Sequence, residues 1–171
     1  MRRRTVAIIL VVVAVTSFVG YLTLTGDTQG YPRKLGSMTR TQFSSGSAAL
    51  SELNIMHLMS PEVKMVDAFI VEYAGKGDAS AIAYVSIAED DEQAQDLLDL
   101  MNIKIDPGDG YTYTKEMRLP GDGLPTVYWT EGHGAHHYLW AKGDKLYWIA
   151  VSGLSLTERL DFLAESLGTL P

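Results

Sequence analysis

Three of the chain's four histidines fall within EGHGAHHYLW, residues 131–140, as His133, His136 and His137, with Glu131 opening the stretch. Imidazole and carboxylate are the ligands of zinc and copper, so His133, His136, His137 and Glu131 are the candidate metal site. Such a site needs its donors within about 2.0–2.1 Å of one point. On a helix, His133 and His137 would be neighbours at i and i+4, but Gly132, Gly134 and the strand-like HYLWA argue against a helix. On a strand, His136 and His137 point to opposite faces. His133 and His137 would share a face yet stand about 13 Å apart. Only a tight loop over residues 132–135 would bring His133, His136 and Glu131 together. The spacing therefore favours the polar start of a strand over a metal site, and H-E-x-x-H is absent.

A second group, Met56, His57, Met59 and Met65, offers the thioether and imidazole donors that suit Cu(I). Met56 and Met59 are i and i+3 on a helix, but His57 points about 100° away from Met56. Methionines at apolar helix positions are expected to fill the core. Asp106, Asp109 and Asp122 sit in DPGDG and PGDGLP, which lack a full calcium-loop ligand run and read as turns. No nucleophile elbow, P-loop or dinucleotide fingerprint is present, and no cofactor is expected. Tyr128, Trp129, Tyr138, Trp140, Tyr147 and Trp148 are expected to pack a core rather than line a pocket.

Composition narrows the classes further. Residues 1–26 hold three arginines and no acid; residues 27–171 hold the other 11 basic residues and all 21 acidic ones, a net of 11 − 21 = −10. That charge repels phosphate backbones, so nucleic acid is not an expected partner. The absence of cysteine excludes disulfides, zinc–thiolate sites, iron–sulfur clusters and a lipoprotein anchor.

The elements that must position these residues begin with MRRRTVAIILVVVAVTSFVGYLTL. Residues 5–24 carry no charge, and as a helix would span about 30 Å, the thickness of a bilayer's hydrocarbon core. The expectation is a transmembrane signal anchor at 5–24, with residues 1–4 as a cytoplasmic basic terminus oriented by Arg2, Arg3 and Arg4. A cleaved signal peptide is the rival, but the apolar run exceeds the usual h-region and Val15-Thr16-Ser17 interrupts it rather than ending it. Residues 25–46 read as a polar linker. Residues 47–171 read as an extracytoplasmic domain.

Within that domain, helices are expected at 47–59, from the acidic run 89–92 onward with Ala94, Leu97, Leu98 and Met101 as one stripe, and after the capping box Ser155–Glu158. In this last helix Leu156, Leu160, Leu163 and Leu167 form the predicted apolar stripe and Gly168 the C-terminal cap. Strands are expected at 65–73, 81–88, 111–119, 126–130 and in the hairpin HYLWA–KGDK–LYWIAV. There a Gly143-Asp144 turn sets Trp140 opposite Tyr147 and Leu139 opposite Trp148. Both faces of that hairpin are apolar, so it should be central and covered on both sides. The fold class is α+β: a mostly antiparallel sheet of about six strands with two or three packed helices, preceded by one N-terminal transmembrane helix. The expected role is a non-enzymatic, single-pass binding or accessory domain outside the membrane. Lipid at residues 5–24 and another envelope or membrane protein are its partners. The alternatives are a zinc or copper protein using the histidine cluster, as carrier or metal-dependent enzyme, and a self-associating envelope component.

Overall fold

The computed structural model describes residues 30–56, 65–105, 107–120 and 123–171. The elements below all lie in one compact unit, Pro32–Leu170. The expected membrane span at 5–24 lies outside the described residues, as do His57, Met59, Asp106 and Asp122. Among the described residues no helix is long and apolar enough to cross a membrane.

The fold is α+β. Among the described residues eight strands form one antiparallel sheet: β1 (Lys34–Leu35), β2 (Met38–Ser45), β3 (Asp67–Ala74), β4 (Ser80–Ile87), β5 (Lys115–Met117), β6 (Val127–Gly132), β7 (Ala135–Lys142) and β8 (Lys145–Ser152). Their order is β1-β2-β3-β4-β8-β7-β6-β5. Among the described residues three helices accompany them: α1 (Ser47–Met56), α2 (Asp91–Lys104) and α3 (Leu156–Thr169). The β7–β8 hairpin takes the expected register, Trp140 with Tyr147 and Leu139 with Trp148, and Gly143 at φ 58° supplies the left-handed turn residue.

Register explains why these strands are apolar on both faces. On one face Ile70, Tyr84, Trp148, Leu139 and Tyr128 form a row across five strands. Leu97, Leu98 and Met101 of α2 pack on Leu139, Leu146 and Trp148, while Ala49 and Leu53 of α1 pack on Ala68 and Ile70. On the other face Phe69, Val85, Tyr147 and Trp140 make the matching row, and the Trp140 and Tyr147 rings stack with centroids 5.0 Å apart. A strand buried on both sides has no position for a polar alternation, so its sequence reads as a continuous apolar run.

Four expectations need correction. Residues 34–45, read as polar linker, form β1 and β2. Only Met38 and Phe43 are large apolar residues in MTRTQFSS, too few to mark a strand, but Leu35 and Met38 are fully buried and Phe43 stacks on Phe69 at 5.9 Å. The ladder to β3 supplies what the side-chain pattern lacks, with a bulge between Arg40 and Gln42. With these two strands the sheet holds eight among the described residues. The stretch 111–119 is a strand only at Lys115–Met117, with an isolated bridge from Tyr111 to Gly132. In α3 the capping box forms as expected, but the buried face is Phe162, Leu163, Ser166 and Leu167, while Leu156 and Leu160 are 62% and 38% exposed. Ser166 can sit inside because its hydroxyl donates to the Phe162 carbonyl at 2.7 Å. Gly168 lies within this helix and Leu170 caps it.

The two candidate faces of α3 are separated by one comparison. Leu163→Ala should lower stability by about 2–5 kcal/mol as a core truncation, and Leu156→Ala by no more than about 0.5 kcal/mol as a surface change, both read from urea unfolding midpoints.

Candidate functional site at the β6–β7 hairpin

EGHGAHHYLW is neither a helix nor a simple strand start: it is a tight hairpin. Glu131 pairs with His136, and Gly132 with Ala135, so His133 and Gly134 are the two turn residues. Both have positive φ, 50° and 78°, as the mirror-image hairpin turn requires. His133 is the non-glycine residue in this left-handed region among the described residues. The sequence concealed the turn because His-Gly is not among the usual two-residue signals, Asn-Gly and Asp-Gly.

This turn does bring Glu131 and His136 together, but it divides the four candidate ligands between the faces of the sheet. On one face His137 is 6% exposed and both ring nitrogens are bonded. The Trp148 indole N–H donates to His137 Nδ1 at 2.9 Å. An indole nitrogen can only donate, so Nδ1 is unprotonated; Nε2 therefore carries the proton and donates to the Gly132 carbonyl at 3.1 Å. Such a histidine has no lone pair left for a metal. Burial first, and then the neighbouring His133 and His136, lower its pKa, against the opposing pull of the Gly132 carbonyl.

Tyr111 organises the same face. Its ring meets His133 edge-on at 4.8 Å and His137 at 5.2 Å, and lies 6.3 Å from Trp148. It covers Gly132 so closely that a Cβ there would run into the ring. Thr112 stitches the segment to β6: its N–H donates to the Glu131 carbonyl at 2.7 Å, and its carbonyl accepts from buried Thr130 at 2.6 Å. Nothing in the residue pattern identified Tyr111 beforehand.

On the opposite face Glu131 Oε1 lies 3.2 Å from His136 Nδ1. The carboxylate accepts, so Nδ1 carries the proton of a neutral ring and Nε2 keeps its lone pair. The pair borders an open cleft of about 380 Å³ lined by Glu131, Gly132, Gly134, Ala135 and His136. Partial burial and then the positive charge of Arg159 on α3 lower the His136 pKa, against the raising effect of Glu131. Arg159, like Tyr111, carried no signal in the sequence.

His133, His136, His137 and Glu131 thus do not form one ligand set, and among the described residues no three His, Asp or Glu side chains gather around a metal-sized point. Of the methionine group, Met65 packs against both core clusters on the helical face. Asp109 lies in a short 3-10 turn. Asp90 caps α2 by accepting from the Gln93 N–H at 2.9 Å, which accounts for part of the acidic run. The aromatic group is mainly core, with Tyr138, Trp140, Tyr147 and Trp148 buried; Trp129 is covered by the Lys115 ammonium at 4.8 Å.

Two measurements probe this arrangement. An unfolded histidine takes its proton near pH 6.5 and folded His137 takes it at lower pH. The unfolded chain therefore binds more protons in between. Stability should be complete above about pH 6.5 and fall as pH drops below it. Urea midpoints across pH 7 to 5 should show this loss, and His137→Asn should be less stable at pH 7 but respond less to acid, with His136 supplying the smaller remainder. Separately, Gly132→Ala should cost about 1–3 kcal/mol through overpacking. Much of that cost should vanish in a Tyr111→Ala background, which a double-mutant cycle would read as coupling.

No protein-family model, no curated protein and no solved structure matches this chain.

Proposed function

We propose that this chain is a single-pass, membrane-tethered binding or accessory domain, with its N-terminus cytoplasmic and its α+β unit outside, acting on another envelope or membrane protein rather than catalysing a reaction. One observation carries this reading: the uncharged run 5–24, preceded by Arg2, Arg3 and Arg4, leads within about nine residues to β1. An uncharged twenty-residue segment has no polar face to offer water, so lipid is its favourable surrounding. Nine extended residues reach at most about 30 Å. A partner would therefore be met close to the bilayer, which favours other membrane proteins over distant soluble ones.

The binding role draws support from the way the histidine-rich hairpin is bonded. His137 holds β7 to β8 and to the turn, a structural use of a residue that could have served chemistry. The net charge of −10 over residues 27–171 favours a partner with a basic surface.

The test is extraction of the native full-length chain. It should stay with the membrane pellet through high salt and alkaline carbonate, require detergent for release, and expose its C-terminal unit to protease added outside intact cells. A mature chain that begins after position 20, or that leaves membranes in plain buffer, defeats the proposal. Co-purification at native levels then distinguishes a foreign partner from self-association.

A further inference from the structure

We propose that Tyr111 is an acid-released cover: protonation of His137 breaks its bond to Trp148 and lets the strap of residues 110–113 lift off β6 while the rest of the sheet stays folded. The inference is independent of where the chain resides. It goes beyond an overall loss of stability in acid by naming the part that opens first and the surface that opening uncovers.

The trigger is the way His137 is bonded. Its Nδ1 accepts from the Trp148 indole at 2.9 Å, and its Nε2–H donates to the Gly132 carbonyl at 3.1 Å. An indole can only donate. A proton added to Nδ1 therefore sets two N–H groups against each other, at a site where His137 is 6% and Trp148 7% exposed. The bond is lost, and a charge is left in an apolar setting.

The surroundings offer that charge little relief. From β6, the residue opposite His137 is Thr130, whose hydroxyl already donates to the Thr112 carbonyl. From β8 the opposite residue is Ala150. Tyr84 of β4 meets Trp148 edge-on and is held neutral by burial. The helix α2 brings only leucines and a methionine to the cluster around Trp148. Of the carboxylates in this region, Glu131 bonds His136 on the other face, and Asp109 acts on the Tyr111 hydroxyl. The charges of His133 and His136 both oppose a proton on His137.

The weakest wall of the site is the strap. Strands β6, β7 and β8 pair along continuous ladders. The strap is held instead by one isolated bridge, Tyr111 to Gly132, and by the bonds of Thr112 to Thr130 and Glu131. The Tyr111 ring lies 5.2 Å from His137, 4.8 Å from His133 and 6.3 Å from Trp148. Its departure gives the imidazolium a path to water and uncovers an aromatic surface at Trp148.

Linkage fixes the sign. Under the strap, burial makes His137 take its proton at a lower pH than an ordinary histidine. With the strap lifted, that value returns toward about 6.5. The open form binds more protons between the two values, so opening becomes easier as pH falls through that window and is unbiased above it. Each unit between the two values is a tenfold change in the opening equilibrium.

The experiment is amide hydrogen exchange on the full chain in neutral detergent from pH 7.5 to 4.5, with the Trp148 indole N–H and the His137 ring followed by NMR. As His137 titrates, the Thr112 amide should lose protection by about tenfold or more. Amides of β3 and β4 should keep theirs, and the indole signal should move with the same midpoint. His137→Asn retains an acceptor but takes no proton in this range, so protection at Thr112 should no longer depend on pH. Should that variant unfold, Tyr111→Ala gives the converse reading: with the cover removed, the His137 pKa should rise toward about 6.5. The proposal is overturned if Thr112 stays protected while His137 titrates. It is equally overturned if Thr112 and β4 lose protection together, or if Tyr111→Ala leaves the His137 pKa where it was.

Discussion

The β7–β8 hairpin is buried on both faces, and the rest of the domain is arranged to satisfy that condition. Trp140 and Tyr147 stack beneath one face while Leu139, Leu146 and Trp148 fill the other. A two-stranded ribbon cannot hide both surfaces by itself. β4 and β6 extend it sideways, so that it lies inside the sheet, and α2 closes one side. The backbone polar groups of such a ribbon can be satisfied only by neighbouring strands, which makes the long antiparallel ladder a requirement.

Within that constraint, polar residues survive only where their bonds are complete. His137 enters the apolar face because an indole and a carbonyl occupy its two nitrogens. Thr130, fully buried beside it, is tied to Thr112. The neighbouring residue His136, one step along the same strand, is turned to the other side and is only half committed. A single dipeptide therefore contains one histidine bonded at both ring nitrogens inside the apolar face and one paired with Glu131 on the other, a division produced by the strand's two-residue period.

Much of the sheet and helix content was legible in the residues, for identifiable reasons. The register of β7 and β8 followed from a glycine turn between two apolar runs, and the α2 stripe from regular spacing behind an acidic start. β2 was not legible because its stability lies in backbone pairing and one aromatic contact, which leave no alternation in MTRTQFSS. The α3 face was misassigned since leucines at 156 and 160 fit a helical period as well as the true face does, and only the position of the sheet decides between them. At the hairpin, local spacing made a tight loop the condition for joining His133, His136 and Glu131; the turn joins Glu131 to His136, while His133 lies against Tyr111. That spacing could not reveal Tyr111, which comes from about twenty residues upstream and is brought against Gly132 by tertiary packing.

The sheet ends on strands of only two and three residues, β1 and β5. Each carries a lysine, and Lys115 is laid across Trp129. Long, flat, uncharged borders invite neighbouring chains to continue the ladder; short, charged ones offer little template. A domain with long, open margins is prone to zip into sheets with its neighbours at high concentration. The stubby margins of this one favour separate molecules under crowding, and leave intermolecular contact to side chains instead of to the peptide backbone.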